Sequence, residues 1–308
     1  MTTNTYTIPA SSDGLKLSIL TVTPDQAPKA VVQLVHGMCE HKERYLPLME
    51  YLASRGYICV INDLRGHGES VLDKADLGYF YKGGWKALVE DEKWVTDWIK
   101  TKYENLPVML FGHSMGSLVV RCYCKKHDDA IKGLIVCGSP SANPAVGLGK
   151  ALALCIRAVN GWRYRSPMLV SMTTGTYARK FKKEASPNSW ICTDPTVVEA
   201  YDADPLCGFP FTVNGYYGLF NLLQHTYSVE GWQLRNKTLP ILFIAGAKDP
   251  CIESLKKFSR ASALLREVGY ANVNSKVYPG MRHEIHNEAG KQAVWEDIGN
   301  ALDVWTKR

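Results

Sequence analysis

The sequence predicts an α/β protein, with a mostly parallel central sheet flanked by helices and a helical segment inserted into it. The first observation is a set of short runs that are apolar throughout and bounded by turn residues: 29–37, 57–70, 107–114, 131–140, 239–250 and 275–284. The second is helical periodicity between two of them, where Trp85, Leu88, Val95 and Ile99 recur at helical spacing. Strands that are apolar on both faces and alternate with helices are typical of a parallel sheet covered on both sides.

The regular alternation is interrupted once. Between Pro140 and Leu239 about a hundred residues pass without a comparable strand, which is too long for a loop. The segment contains the apolar helical stretch "GKALALCIRAVNGW" and the aromatic-rich stretch "FPFTVNGYYGLFNLLQH". We therefore predict a helical cap at 141–238 over the carboxyl ends of the strands, where open α/β sheets bind ligands. Residues 1–140 and 239–308 then form the core, closed by an amphipathic final helix that contains Val294, Ile298 and Leu302.

Composition narrows the class of protein. Of the 308 residues, 46% are hydrophobic and 21% charged, which is typical of a globular protein. The net charge of +6 comes from scattered lysines and arginines, so no nucleic-acid interface is expected. The densest basic cluster, Arg179–Lys183, is interpreted as a solvated helix face, with contact to an anionic membrane surface as the alternative.

Cysteine usage and the N-terminus point to a reducing compartment. The nine cysteines are odd in number and include no C-x-x-C pair, so neither a disulfide framework nor a metal site is expected. The N-terminal residues lack a basic stretch followed by an apolar run, and no apolar stretch is long enough to span a membrane. We expect a cytoplasmic protein.

The stretch "GHSMGS" at 112–117 separates a predicted buried strand from a predicted helix. Glycines at such a corner are explained by a tight turn alone. The alternative is a strained elbow that exposes Ser114 as a nucleophile, since the G-x-S-x-G frame lies between strand and helix as that motif requires. This context favours the nucleophile.

A serine nucleophile needs a base to accept its proton and a carboxylate to hold the tautomer of that base. Asp249 is the candidate acid, because it ends the strand "ILFIAGAKD" 135 residues after Ser114. Its alternative role is that of a solvated turn residue before Pro250. The rival carboxylates Asp194, Asp202 and Asp204 lie inside the predicted cap, where helix capping is a commoner role.

His283 is the candidate base, 34 residues beyond Asp249 and just past the last predicted strand. His286 is the alternative, and we expect it in the first turn of the closing helix. The oxyanion hole is expected to combine the backbone N–H of Met115 with that of Met38, in the loop "HGMCEH". Neighbouring His36 is interpreted as a residue that braces this loop.

Five motifs in order carry a resemblance to a known family: "HGMCEHKERY", "DLRGHGES", "GHSMGS", "AGAKDP" and "MRHEIHNE". Together they resemble the monoacylglycerol lipase and lysophospholipase branch of the α/β-hydrolases, over nearly the whole chain outside the cap. The resemblance implies the α/β-hydrolase fold, a Ser114–Asp249–His283 triad, a helical lid and hydrolysis of an ester with a lipophilic acyl group. It implies no metal and no cofactor.

The resemblance also implies a polar cluster where the glycerol leaves, and the matching positions are Glu40, Arg44 and His286. The alternative for Glu40 and Arg44 is a salt bridge that braces the loop, since the two lie four residues apart. Some members have a small residue and glycine after "HG", whereas this chain has Met38 and Cys39. Bulk there would shorten the acyl entrance, so a short-chain or aryl (feruloyl-type) esterase is the alternative substrate class.

Apolar cap residues are predicted to border the acyl site: Leu152, Leu154, Ile156 and Val159. Nearly every face of this segment is apolar, which fits a tunnel wall or an ordinary cap core. Two further hypotheses stay open at this point. The chain is a non-catalytic binder of small molecules on the same fold, or it transfers the acyl group to an acceptor other than water. Cys251 is interpreted as a packed apolar residue near the triad, with a redox switch as the alternative.

Overall fold

The structure is a computed structural model that describes residues 1–307. Its central feature is an eight-stranded sheet. The strand order is β1-β2-β4-β3-β5-β6-β7-β8. From β3 to β8 neighbouring strands are parallel, whereas β1 and β2 are antiparallel to each other and β2 to β4. The strands are β1 Thr2–Pro9, β2 Lys16–Thr23, β3 Ala30–Val35, β4 Tyr57–Asn62, β5 Val108–His113, β6 Gly133–Cys137, β7 Ile241–Gly246 and β8 Val273–Tyr278. The predicted α/β class is confirmed.

The hairpin β1–β2 was not predicted. Its first strand is mostly exposed and rich in threonine, so it lacks the continuous apolar run of the central strands. Two signals in the sequence mark it nonetheless. β-branched residues are frequent in "TTNTYTIP", and Asp13-Gly14 provides the turn chemistry of a hairpin between the two strands.

Helices cover both faces of the sheet. The helices are α1 Leu46–Ser54, α2 Gly84–Lys102, α3 Met115–His127, α4 Val146–Asn160, α5 Pro167–Met172, α6 Thr174–Lys180, α7 Pro195–Ala203, α8 Val213–Thr226, α9 Leu255–Glu267 and α10 Lys291–Thr306. On one face Met49 of α1 and Ile298 of α10 share a buried cluster with Phe111 of β5. On the other face Val120 of α3 and Phe258 of α9 share a cluster with Leu110. Successive residues of one strand thus pack on opposite helix layers, which explains why the strands are apolar throughout.

The long connection between β6 and β7 contains five helices, α4 to α8. It is therefore helical, as the sequence predicts, but α8 is continuous with the core. Phe220 and Leu222 of α8 belong to the same buried cluster as Leu118 and Val119 of α3. The division into a core and a separate cap at 141–238 stays a prediction. Within residues 1–307, none of the helices combines the length and the hydropathy needed to cross a membrane.

Candidate active site

Ser114 lies at the sharp corner between β5 and α3, with a backbone φ of 53°. A serine rarely adopts this left-handed conformation, and such strain persists only where the surroundings impose it. The flanking glycines impose it here. A Cβ at Gly116 would lie 2.2 Å from the carbonyl oxygen of Val35, and one at Gly112 would lie 2.6 Å from that of Gly116. The geometry is that of a strained elbow rather than an ordinary turn.

Asp249 and His283 meet at the carboxyl edge of the sheet. Asp249 follows β7 by three residues, and both of its carboxylate oxygens lie 3.0 Å from Nδ1 of His283. The N–H of Cys251 donates to the Asp249 carboxylate at 2.8 Å, which orients it further. Burial opposes protonation of the imidazole, yet the Asp249 carboxylate raises the pKa of His283 well above its usual value. This pairing leaves Nε2 of His283 to face the cavity.

The rival carboxylates have other roles. Asp194 accepts the backbone N–H of Thr196 and caps α7, as a carboxylate in the cap was expected to do. Asp202 accepts a hydrogen bond from Asn188, and Asp204 lies 2.7 Å from Nε2 of His41. None of the three lies in the wall of the cavity that contains Ser114.

Ser114 and His283 both line one cavity, and the ring of Trp190 lies 5.1 Å from that of His283. Within residues 1–307 the Ser114 Oγ has no hydrogen-bond partner, while Nε2 of His283 lies 3.8 Å from the Cys251 sulfur. Catalytic hydrogen bonds are often long without substrate and tighten when it binds. Cys251 is thus close to the candidate triad, as expected, and only 3% exposed.

The alternative base, His286, is excluded from the cavity. It lies in the turn before α10, which begins at Lys291, so its predicted placement in the first turn of that helix is wrong. The ring is fully buried and stacks on Tyr45 at 4.9 Å. Burial and the neighbouring His113 lower the pKa of His286 well below its usual value. A neutral ring sealed from the cavity does not fit the substrate-binding role that the resemblance implied.

The two residues that carry the candidate oxyanion donors, Met38 and Met115, line the same cavity as Ser114. Met115 is the first residue of α3, so its N–H has no partner inside the helix. Met38 follows Gly37, whose N–H donates to Glu40 at 2.6 Å and thereby bends the loop. Both methionines line the cavity. His36 accepts the N–H of Leu64 at 2.9 Å, so it braces this loop as predicted.

Glu40 and Arg44 form a buried ion-pair network. Arg44 donates to Glu40 at 2.7 Å and to both oxygens of Glu284 at 2.7 Å. Burial opposes ionisation of Glu40, but the His113 ring and the Arg44 guanidinium hold its pKa well below the usual range. Glu40 and Glu284 reach the cavity wall, whereas Arg44 does not. The network favours the bracing role, and sequence spacing did not identify Glu284 as its third member.

The cavity has a volume of about 1070 Å³. Its apolar wall includes residues of α3, α4 and α8: Met115, Leu118, Val146, Leu219, Phe220 and Leu223. The predicted acyl residues Leu152 and Ile156 do not line it, because only the N-terminal turn of α4 reaches the cavity and these two pack on the core cluster. Leu154 and Val159 point outward and are 39% and 85% exposed. The prediction named the right helix but the wrong end.

Comparisons with known proteins identify the family of this chain. A family described as "Serine aminopeptidase, S33" matches residues 26–290. A monoacylglycerol lipase from Mycolicibacterium smegmatis is 28% identical over 94% of this chain and 93% of its own. A monoglyceride lipase from Homo sapiens is 25% identical over 97% of this chain and 89% of its own.

Among solved structures, a thermostable carboxyl esterase from Bacillus coagulans, in complex with glycerol, superposes with a TM-score of 0.91. It is 27% identical, and the match covers 99% of both chains. The relatives are thus similar over nearly their full length, on both sides of the predicted cap and through it. This chain belongs to the serine aminopeptidase S33 family and, within the α/β-hydrolases, to the monoacylglycerol lipase branch of serine ester hydrolases.

Proposed function

We propose that the protein hydrolyses esters of glycerol with a lipophilic acyl chain, namely monoacylglycerols or lysophospholipids. The observation that carries the proposal is the large cavity, mostly apolar in lining, that opens onto Ser114 and His283. An acyl chain fits such a cavity, since ligand sites are mostly apolar with a few placed polar groups. The names of the relatives from Mycolicibacterium smegmatis and Homo sapiens support the same substrate class.

The mechanism follows from the positions of five residues. Ser114 Oγ attacks the ester carbonyl while Nε2 of His283 accepts its proton, and Asp249 holds the Nδ1 proton of the imidazole. The N–H groups of Met38 and Met115 stabilise the oxyanion. The glycerol oxygen leaves with the proton from His283. A water molecule then attacks the acyl-enzyme while His283 accepts its proton. Ser114 Oγ leaves with that proton, and the fatty acid is released. These steps use neither a metal nor a cofactor.

The family description names an aminopeptidase, whose substrate carries a free ammonium group. Within residues 1–307 the carboxylates in the cavity wall already have cationic partners. Arg44 binds Glu40 and Glu284, and Lys257 pairs with Glu253. No wall carboxylate is left to recognise an ammonium group, which supports ester rather than peptide substrates.

The segment 141–238 is proposed to act as a lid that contacts a membrane surface transiently. It exposes large apolar side chains, among them Leu148 at 68% and Val159 at 85%, and it also carries the basic cluster Arg179–Lys183. Apolar side chains together with basic ones suit the interface of an anionic membrane.

All nine cysteines are free thiols, which supports a reducing, cytoplasmic location.

The alternative substrate class rests on one feature. Cys39 donates its S–H to the carbonyl of Phe209 at 2.9 Å, and together with Met38 it fills part of the wall beside Ser114. If this bulk closes the acyl entrance, the enzyme acts on short or aryl esters. Acyl-chain length therefore separates the two classes.

The test is an initial-rate series on monoacylglycerols of increasing acyl length, alongside an aryl ester and a lysophospholipid. Ser114→Ala is the blank, and Ser259→Ala on the exposed face of α9 is the matched control. We expect rates that rise with chain length and vanish in Ser114→Ala alone. High rates only on the aryl ester would select the alternative, and a wild type unlabelled by a fluorophosphonate would indicate a binder.

A further inference from the structure

The cavity wall carries an unbalanced charge. Its three glutamates, Glu40, Glu253 and Glu284, are each bound to a cation, as described above. The pairs with Arg44 are almost fully buried, since the side chains of Glu40 and Glu284 are each 3% exposed and that of Arg44 is 11% exposed. Each wall carboxylate is therefore already engaged by a cation of the protein, with Arg44 serving two of them.

The cations of the wall are not neutralised in return. Arg165, Arg179 and Lys180 line the cavity, and within residues 1–307 none of them has a carboxylate oxygen within 4.0 Å. Arg165 donates instead to the backbone carbonyls of Ala75 at 2.9 Å, Leu77 at 2.7 Å and Pro210. These carbonyls hold the guanidinium in place but leave its full charge uncompensated. We name these three residues the cationic rim.

Arg163, an arginine close to Arg165 in the sequence, does have an acidic partner. Arg163, two residues before Arg165, forms an ion pair with Asp76 and does not line the cavity. Arg179 makes only long contacts with Ser171, at 3.4 and 3.5 Å. Its side chain is therefore free to turn toward a ligand at little cost in broken hydrogen bonds.

The α6 part of the cationic rim is connected to His283 through two aromatic contacts. Arg179 and Lys180 end α6, which also carries Tyr177, a wall residue. The Tyr177 ring lies 5.1 Å from that of Trp190, which in turn lies 5.1 Å from that of His283. The leaving oxygen takes its proton from His283, so a headgroup attached to it begins its departure next to these rings.

We infer that the cationic rim is a subsite for an anionic headgroup, so that the preferred ester carries a phosphate monoester or phosphodiester on its leaving alcohol. This inference rests on the proposed function and narrows it from glycerol esters in general to lysophospholipids with net negative charge. Cations that face a cleft with low-dielectric walls, and have no carboxylate beside them, attract anionic ligands. The net charge of +6 acts in the same direction.

The experiment compares three octanoyl esters kept as monomers below their micellar concentration: octanoylglycerol, octanoyl-glycerophosphocholine and octanoyl-glycerophosphate. Because no lipid surface is present, membrane attraction cannot contribute. We expect kcat/KM to be highest for the glycerophosphate and its advantage to shrink as salt is added. Arg165→Gln, Arg179→Gln and Lys180→Gln should each lower that advantage about two- to fivefold, through KM, as expected for partly exposed charge pairs.

Arg163→Gln is the matched control, since Arg163 is a neighbouring cation outside the cavity, and it should leave the ratio of the three substrates unchanged. Equal kcat/KM for charged and neutral esters, or equal losses on all three esters, would overturn the inference while leaving the proposed hydrolysis intact. Variants that slow only hydrolysis on anionic vesicles would assign the cations to membrane docking and overturn it too. Competition by inorganic phosphate against the charged ester alone would support it and identify the phosphate group as what is recognised.

If no ester is hydrolysed, the proposed function fails, and the inference is tested by binding alone. Calorimetry with Ser114→Ala then compares the Kd of octanoyl-glycerophosphate with that of octanoylglycerol. Tighter binding of the phosphate, lost in the Arg165→Gln and Arg179→Gln backgrounds, supports the subsite. Equal affinities for the two lipids reject it.

Discussion

The carboxyl edge of the sheet and the helical segment above it hold their functional residues in different ways. At the edge, Ser114, Asp249 and His283 follow strands or tight loops and are at most 8% exposed. In the helical segment, wall residues such as Val146, Val170 and Arg179 are half-buried or exposed and lie on α4, α5 and α6. We therefore expect strand register at the edge to fix the chemistry, and the less buried side chains of the segment to decide which substrates fit.

The two regions also differ in whether their charged side chains have partners of opposite charge. At the edge, charged groups are paired inside the protein, as Arg44 with Glu40 and Glu284. In the helical segment, cations such as Arg179 face the cavity without an acidic partner among residues 1–307. Pairing at the edge makes one arrangement rigid, since breaking a buried pair leaves an uncompensated charge. Unpaired cations on the segment are available to a ligand.

The largest expected effect comes from the acid of the triad. Asp249→Asn keeps the shape of the side chain but no longer holds the productive tautomer of His283, so kcat should fall about 10⁴-fold. Initial rates on a monoacylglycerol measure it. The matched control is Asp194→Asn in the helical segment, which only weakens the cap of α7 and should leave kcat near wild type. Comparable losses in both variants would remove the distinction between edge and segment.

A buried carboxyl group in the core should make the free energy of unfolding depend on pH. Glu92 of α2 is fully buried and accepts hydrogen bonds from Asn62 at 2.9 Å and Gln33 at 3.0 Å. Burial raises its pKa from an ordinary value of 4.5 to about 8. The folded state thus holds a proton that the unfolded chain releases, so the free energy of unfolding falls by roughly 1.4 kcal/mol per pH unit between these values.

Urea unfolding of wild type and Glu92→Gln between pH 5 and 8 measures this dependence. The variant cannot ionise at this position and should lose that contribution to the slope, becoming relatively more stable toward pH 8. Glu199→Gln on exposed α7 is the control and should keep the wild-type slope. Parallel curves for wild type and Glu92→Gln would show that Glu92 is already ionised in the folded protein.

Two glycine substitutions test whether the edge of the sheet is packed more tightly than α4. Gly116→Ala places a Cβ 2.2 Å from the Val35 carbonyl, so the elbow must shift at a cost of roughly 1–3 kcal/mol in stability. Gly147→Ala in α4 meets no atom within 4 Å and should stabilise the helix by about 0.5–1 kcal/mol. Thermal unfolding of the two variants measures both signs. A stability loss for Gly147→Ala would mean that α4 is as tightly packed as the edge.

A last pair of variants tests the acyl wall. Val146→Trp fills the cavity end of α4 and should reduce kcat/KM about tenfold for long acyl chains, with little change for short ones. Leu154→Trp, on the same helix but facing outward, is the matched control. Kinetics on short and long monoacylglycerols separate the two variants. Equal chain-length profiles in wild type and Val146→Trp would place the acyl chain elsewhere in the cavity.

Comparison of expectation and structure shows where sequence patterns lose information. The apolar central strands and the elbow at Ser114 were predicted because local chemistry specifies them. His286 was misplaced because spacing from His283 cannot reveal that the chain turns before α10 begins. Leu152 and Ile156 were assigned to the cavity because an all-apolar helix does not disclose which of its faces meets a neighbour.

By itself, the sequence determined the α/β class and the family, and it predicted an order of nucleophile, acid and base, because each depends on local patterns that follow one another along the chain. Only the tertiary structure decided which residues share one cavity. Glu284 joins Arg44 across 240 residues, and Asp249 meets His283 across 34. Such contacts depend on how strands align and helices pack, and no spacing in the sequence encodes those distances directly.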